Sequence, residues 1–102
     1  MHFLLIYEVI PHYATARVPF RKLHFQHAQA AHARGEILLA GALANPIDGA
    51  VFVFQGDSPK AAEDFAKADP YVLNGLVTSW RVREWTTVVG DEAAVRIDLN
   101  SL

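Results

Sequence analysis

The sequence predicts an α+β fold in which two helices cover one side of an antiparallel sheet. Short apolar segments typical of strands are interrupted by two segments of helix-forming composition, in the order strand, helix, strand, strand, helix, strand. This order is that of the ferredoxin-like βαββαβ fold, in which right-handed crossovers place both helices on the same face. With 102 residues, we expect a single domain that spans residues 1–102.

The first part of the chain is predicted to form a strand and a long helix. Residues 3–9 are apolar at consecutive positions, which is typical of a strand that is covered on both faces. Pro11 and the segment 14–16 then predict a loop. Residues 20–34 have a helix-forming composition, and Gly35 is a suitable C-terminal stop.

The next two strands are predicted to form a hairpin that leads into the second helix. Residues 37–43 and 50–55 are apolar runs joined by turn-forming residues. The second helix begins near Pro59 and ends at Asp69, because the following Pro70 disfavours helical backbone at the residue before it.

The last part of the chain is predicted to be one long strand and a tail. Residues 76–89 alternate between apolar and polar side chains, as a strand with one buried face does. Residues 90–102 form a C-terminal tail, in which the alternation over 95–99 is compatible with a short extra strand.

Composition and charge exclude several classes of function. There is no cysteine, which excludes disulfides and thiolate metal ligands. A net charge of −2, with no basic stripe, argues against nucleic-acid binding. No apolar run is long enough to cross a membrane, and the N-terminus lacks the features of a signal peptide, so we expect a cytoplasmic protein. A small-molecule ligand fits this composition best.

The strands also predict a homodimer. The first and third strands are apolar on both faces, whereas two helices cover only one face of a sheet. The simplest cover for the second face is the same face of another copy, which gives a closed two-fold assembly. The alternative is a monomer in which the C-terminal tail covers that face.

His24 and Asp69 are the candidate catalytic pair. An imidazole titrates near neutrality, and a neighbouring carboxylate fixes its tautomer, so the pair could transfer protons. The two residues are predicted on different helices, and their contact is therefore a hypothesis about the fold. Each also has a purely structural interpretation, His24 as a helix-surface histidine and Asp69 as a helix terminator.

No metal or other cofactor is expected. His24 and His27 are three residues apart on one helix face, but no third ligand stands at helical spacing, and His32 points away from His27. We therefore interpret His27 and His32 as solvated side chains. Gly41, in an apolar strand, indicates either a bulge or a close approach of the backbone to another group such as a ligand.

The chain resembles the YciI-like proteins, which carry the YCII-related domain. The resemblance runs nearly to Glu84 and rests on Arg21-x-x-His24, Gly35, Leu38-Leu39-Ala40-Gly41, and Ala68-Asp69-Pro70-Tyr71-Val72 with Gly75. It implies a ferredoxin-like fold of the dimeric α/β-barrel type with a His–Asp site in a cleft, here His24 and Asp69. The chain departs from the common Gly-Pro after the second strand, with Gly41-Ala42.

The resemblance also implies a function. One branch of the family removes chloride from a chlorinated hydroxyhydroquinone, which suggests a small cofactor-independent enzyme of the isomerase, lyase or dehydrochlorinase type. Its substrate would be a small oxygenated or aromatic-derived compound, with Arg21, Gly41 and Tyr71 as substrate-binding residues. Two alternatives stay open: a non-catalytic ligand-binding or regulatory dimer, and an oxygenase that is either cofactor-free or haem-binding.

Overall fold

Four strands form one antiparallel sheet in the computed structural model, which describes residues 1–102. Their spatial order is β2-β3-β1-β4, so the two central strands are the first and the third along the chain. The strands are β1 (His2–Val9), β2 (Ile37–Ala42), β3 (Gly49–Gln55) and β4 (Val77–Trp85). The α+β class and the ferredoxin-like arrangement are confirmed.

Two helices lie on one face of this sheet and correspond to the two predicted ones. They are α2 (Arg21–Ala33) and α3 (Lys60–Ala68). Gly35 ends α2 with a φ of 80°, a conformation that glycine adopts without a steric penalty. Neither of these helices, nor any other in the protein, has the length and apolar character that a membrane span requires.

The prediction of a loop after β1 is wrong, because two short helical segments form there. They are α1 (Tyr13–Ala16) and a 3₁₀ turn (Val18–Phe20). Tyr13 is buried and packs edge-on against Tyr71, with ring centroids 5.7 Å apart. This tertiary contact anchors a segment whose local composition predicts only a turn.

The last strand ends earlier than predicted, and no extra strand forms in the tail. Trp85 pairs with His2, the first residue of β1, so the sheet offers no neighbour for strand residues beyond it. The only regular structure in the tail is a 3₁₀ turn (Leu99–Ser101).

The hydrophobic core lies between the sheet and the two long helices. Its largest members come from alternate positions of the central strands and from α3, and they are Phe3, Leu5, Tyr7, Phe52, Phe54 and Phe65. The opposite side of the sheet, here called the open face, carries the apolar side chains of Leu4, Ile6, Leu39, Val51, Val53 and Trp85, together with Arg81 and Arg83 of β4. None of these open-face residues is buried in the single chain.

Candidate active site

Asp69 lies at the centre of a buried hydrogen-bond network. Its backbone is extended, with φ −67° and ψ 126°, at the junction where α3 ends and α4 (Pro70–Leu73) begins. This is the geometry that the following proline favours. The side chain caps α4 by accepting a hydrogen bond from the Tyr71 N–H at 2.9 Å, and the residue is fully buried.

His24 contacts this carboxylate directly. Its Nδ1 lies 2.9 Å from one carboxylate oxygen of Asp69 and 3.0 Å from the other. The Tyr71 ring stacks on the imidazole, with centroids 3.9 Å apart and planes 6° from parallel. The structure thus brings together the two residues that the sequence singled out, although they are on different helices.

The partners of Asp69 determine the histidine tautomer. An ionised carboxylate only accepts hydrogen bonds, so Nδ1 of His24 carries the proton and donates it. In the neutral ring, Nε2 is then unprotonated, and it has no hydrogen-bond partner in the protein. A base held in this way has a fixed orientation and a free lone pair.

Tyr7 is a third member of the network that the sequence analysis missed. Its hydroxyl donates to Oδ2 of Asp69 at 2.7 Å from the inward face of β1. Burial, the negative charge of Asp69 and this hydrogen bond together raise the pKa of Tyr7, so its hydroxyl remains a donor. The sequence held one indication of this role. Tyr7 occupies an inward position of a predicted strand, where a tyrosine hydroxyl needs a buried hydrogen-bond partner.

A cavity of about 230 Å³ opens beside His24. Helix α2, strands β2 and β3, and the two short helices α1 and α4 all contribute to its wall. Besides His24, the lining includes Tyr13, Arg17, Arg21, Phe25, Gly41, Phe52 and Tyr71. The three residues predicted to bind substrate, Arg21, Gly41 and Tyr71, therefore all border the same cavity as the histidine.

Gly41 does not make the close contact that its position in a strand suggested. A Cβ at this glycine would meet no atom within 4 Å, and the irregular pairing of β2 lies between Ile37 and Leu39. The close approach is instead at Gly49, where a Cβ would stand 3.0 Å from the Tyr7 carbonyl oxygen. Gly41 therefore borders the cavity through its backbone, and because it pairs with Val51, the space that its missing side chain leaves is on the open face of the sheet.

Two further residues of the wall, Arg17 and Tyr13, were not predicted. The Nε of Arg17 is buried without a hydrogen-bond partner, and its guanidinium carbon lies 5.4 Å from the centre of the Tyr13 ring. Burial raises the pKa of Tyr13, and burial also raises the pKa of Tyr71 to about 12, so both phenols are neutral at neutral pH.

The other two histidines of α2 contribute to packing. We expected solvated side chains, and His32 is exposed while its Nδ1 donates to the Ile37 carbonyl at 2.7 Å; His27 is half-buried, and its Nε2 donates to the Phe65 carbonyl at 2.9 Å. The His27 ring also stacks on Phe65. The structure contains no group of three or more potential metal ligands.

The fold and the site define a class of small α+β proteins with a buried His–Asp pair at a ligand-sized cavity. The model of the YCII-related domain matches residues 1–86, and the chain belongs to this family. A comparison of the sequence with curated proteins finds no match.

The chain is similar in fold to solved structures. One of these is the 5-chloro-2-hydroxyhydroquinone dehydrochlorinase TftG from Burkholderia phenoliruptrix AC1100, in complex with 2,5-dihydroxybenzoquinone. The two proteins are 19% identical and superpose with a TM-score of 0.72 over 85% of this chain and 95% of the other. At this identity, the likeness shows a common fold.

Proposed function

We propose that this protein is a small cofactor-independent enzyme in which His24 transfers a proton to or from a small oxygenated or aromatic-derived compound. The observation that supports this most directly is the arrangement of His24. Its Nδ1 is held by a fully buried carboxylate, while its Nε2 is free of protein partners beside a cavity.

In this proposal, each member of the network has a distinct role. His24 is the catalytic base and, once protonated, the acid. Asp69 fixes the imidazole and stabilises the imidazolium that forms when Nε2 accepts a proton. Tyr7 and the Tyr71 N–H hold the carboxylate in place, and with Nδ1 of His24 they give its buried charge three hydrogen-bond donors. Stacking on Tyr71 keeps the imidazole plane fixed.

The reaction types that fit are isomerisation and elimination next to a carbonyl or phenol oxygen. The base removes a proton from a C–H or O–H group, and the electron pair moves into the conjugated system. In an isomerase, the imidazolium returns the proton at another carbon. In a lyase or dehydrochlorinase, the pair expels a leaving group such as chloride, and the proton and chloride leave as HCl.

The dimensions of the cavity favour a compound with a single ring. Its volume of about 230 Å³ lies below the roughly 300–1,000 Å³ of sites for drug-sized ligands. The fold neighbour TftG, which acts on a hydroxyhydroquinone and was solved with a dihydroxybenzoquinone, gives the chemical class to test first.

The test is proton exchange and turnover with a panel of hydroxylated quinones, chlorinated hydroxyhydroquinones and unsaturated lactones. Exchange of ring protons for deuterium, followed by NMR in D₂O, reports base catalysis before any product is known. We expect His24→Gln to lower the rate by about 10² to 10⁴-fold, the usual contribution of a positioned acid–base group.

The matched control is His12→Asn, which removes an imidazole that is exposed and makes no side-chain hydrogen bond. Asparagine tolerates the positive φ of 60° at this position. This variant should retain the full rate. If ligands of the panel bind but neither exchange nor turn over, the protein is the non-catalytic ligand-binding module instead.

We further propose that the protein acts as a homodimer formed by the open faces of two copies. Leu39 is 73% exposed and Trp85 46% exposed in the single chain, and both lie on the open face beside the apolar side chains of β1 and β3. The radius of gyration is 15.0 Å, against about 13 Å for a compact chain of this length, and the longest dimension of the single chain is 52 Å. A second copy would cover this surface symmetrically.

Light scattering of a matched pair of variants tests the dimer. Leu39→Glu places a charge on the open face, whereas Leu23→Glu places one on α2, where the side chain is 55% exposed. Both leucines are exposed in one copy, so the fold of the single chain is unaffected. We expect only Leu39→Glu to shift the mass from two chains to one, and a wild-type protein of single-chain mass would exclude the dimer.

A further inference from the structure

The cavity beside His24 has a cationic end at which two arginines make no ion pair with the protein. Arg17 lies between α1 and the 3₁₀ turn, and Arg21 is the first residue of α2, four positions later. Both border the cavity, and both are only partly exposed. The turn between them is what brings two guanidinium groups to one wall.

Neither guanidinium has a carboxylate partner. The ion pairs of the structure join His24 to Asp69, Arg34 to Glu36 and Lys60 to Asp64. Both cavity arginines instead approach aromatic rings. Their guanidinium carbons lie 5.4 Å from the centre of the Tyr13 ring for Arg17 and 5.2 Å from that of Phe25 for Arg21.

The tyrosines of the wall do not supply the missing negative charge. Burial raises the pKa of Tyr71 to about 12, and it raises the pKa of Tyr13 even though the neighbouring arginines act in the opposite direction. Both phenols therefore stay protonated at neutral pH and are hydrogen-bond donors to a ligand. Arginine stays charged at neutral pH, so the wall has two positive charges that no carboxylate contacts.

Arg17 also has an unsatisfied donor. Its Nε is the one buried side-chain nitrogen or oxygen in the structure that has no hydrogen-bond partner. Buried donors in native proteins are nearly always paired, so a missing partner requires an explanation. A bound ligand with an acceptor atom next to this Nε would provide the missing hydrogen-bond partner.

We infer that Arg17 and Arg21 form an anion-binding subsite, and that the ligand of this cavity is a planar ring compound bearing an oxyanion. The oxyanion is either a carboxylate or the enolate oxygen of a hydroxyquinone, which is its vinylogous equivalent. The planar guanidinium fork matches both, since it can donate two parallel hydrogen bonds. This inference rests on the proposed function to the extent that it names the substrate class of the same cavity.

The subsite gives the substrate a defined orientation. The oxyanion binds at the arginine end, the ring lies against aromatic side chains such as Phe52, and the reacting C–H or O–H faces His24. The positive charges also favour negative charge that develops in the ring when His24 removes a proton, which adds electrostatic stabilisation of the transition state.

Calorimetry with two anions and a neutral comparator tests this inference. The anions are benzoate and 2,5-dihydroxybenzoquinone, which is anionic at neutral pH, and the comparator is benzamide. We expect at least one anion to bind at least tenfold more tightly than benzamide, with an affinity that falls as salt is raised. Tighter binding of benzoate would indicate a carboxylate substrate, and tighter binding of 2,5-dihydroxybenzoquinone would indicate a hydroxyquinone.

Variants assign the binding to the two arginines. Arg17→Gln and Arg21→Gln should each weaken the anion about tenfold or more while changing benzamide binding less than about twofold. Arg17→Lys retains the charge but loses the fork, and it should give an intermediate loss. Arg96→Gln, in the exposed tail, is the matched control and should change nothing.

The outcomes separate this inference from the proposed enzyme activity. Equal affinity for anions and benzamide, no anion binding at millimolar concentration, or equal losses for both ligands in the arginine variants would overturn the subsite. Anion binding that needs the arginines, in a protein that shows no proton exchange, would leave the subsite standing and remove the enzyme. Circular dichroism of each variant confirms that it is folded.

Discussion

Tyr7→Phe removes a single oxygen from the network around Asp69. The hydroxyl donates to a carboxylate oxygen at 2.7 Å, Asp69 is fully buried, and Tyr7 is 1% exposed. Because no solvent reaches this position, water cannot replace the lost donor. The change tests whether the buried carboxylate of Asp69 depends on the hydrogen bond from Tyr7.

The expected cost is about 1.5–3 kcal/mol of unfolding free energy, the usual contribution of a hydrogen bond to a charged group. A larger loss is not expected, because His24 Nδ1 still lies 3.0 Å from the same oxygen and the Tyr71 N–H still caps the other. This cost is a large fraction of the roughly 5–15 kcal/mol that stabilises a typical domain.

Urea unfolding at one fixed protein concentration measures this cost, since association makes apparent stability depend on concentration. Tyr71→Phe is the matched control, because the Tyr71 hydroxyl makes no hydrogen bond to the protein. We expect it to change the unfolding free energy by less than about 0.5 kcal/mol. A similarly small change in Tyr7→Phe would refute the assignment of Tyr7 as a support of Asp69.

Three further predictions concern pH, packing and the tail. Burial raises the pKa of Tyr71 from 10.0 to about 12 and raises the pKa of Tyr7 further, so the stability that their neutral forms contribute is complete below pH 10 and falls as the pH rises above it; unfolding followed by tyrosinate absorbance should begin between pH 10 and 12. Gly49→Ala should cost about 1–3 kcal/mol in urea unfolding because its Cβ would stand 3.0 Å from a backbone oxygen, whereas Gly41→Ala, with open space around its Cβ, should change the stability little. Removing residues 90–102, none of which is buried, should leave the folded single chain and its circular dichroism spectrum unchanged, and loss of the fold would show that the tail belongs to the core.

The catalytic candidates were accessible to sequence reasoning because each follows a local signal. Asp69 precedes a proline, which disfavours helical backbone and predicts the end of a helix there. His24 lies in the segment that resembles the YCII-related pattern. Their contact spans 45 positions of the sequence, so it depended on the fold being correct.

Tyr7 and Arg17 were missed for a different reason. Tyr7 is one of several large residues in an apolar strand, and its hydroxyl meets Asp69 across 62 positions of the sequence. Arg17 reaches the cavity only because the segment predicted as a loop folds into α1 and a 3₁₀ turn. Nothing in the spacing of either residue along the chain indicates the contact.

The sequence by itself determined the order of the strands and long helices and several of their ends. These features depend on local backbone sterics, as at Gly35 with its positive φ, and on the periodicity of apolar side chains. Tertiary structure decided which polar groups share the buried site and where the last strand stops, at Trp85 opposite the first residue of β1. Those outcomes depend on contacts between distant segments, which form only when the sheet and helices pack together.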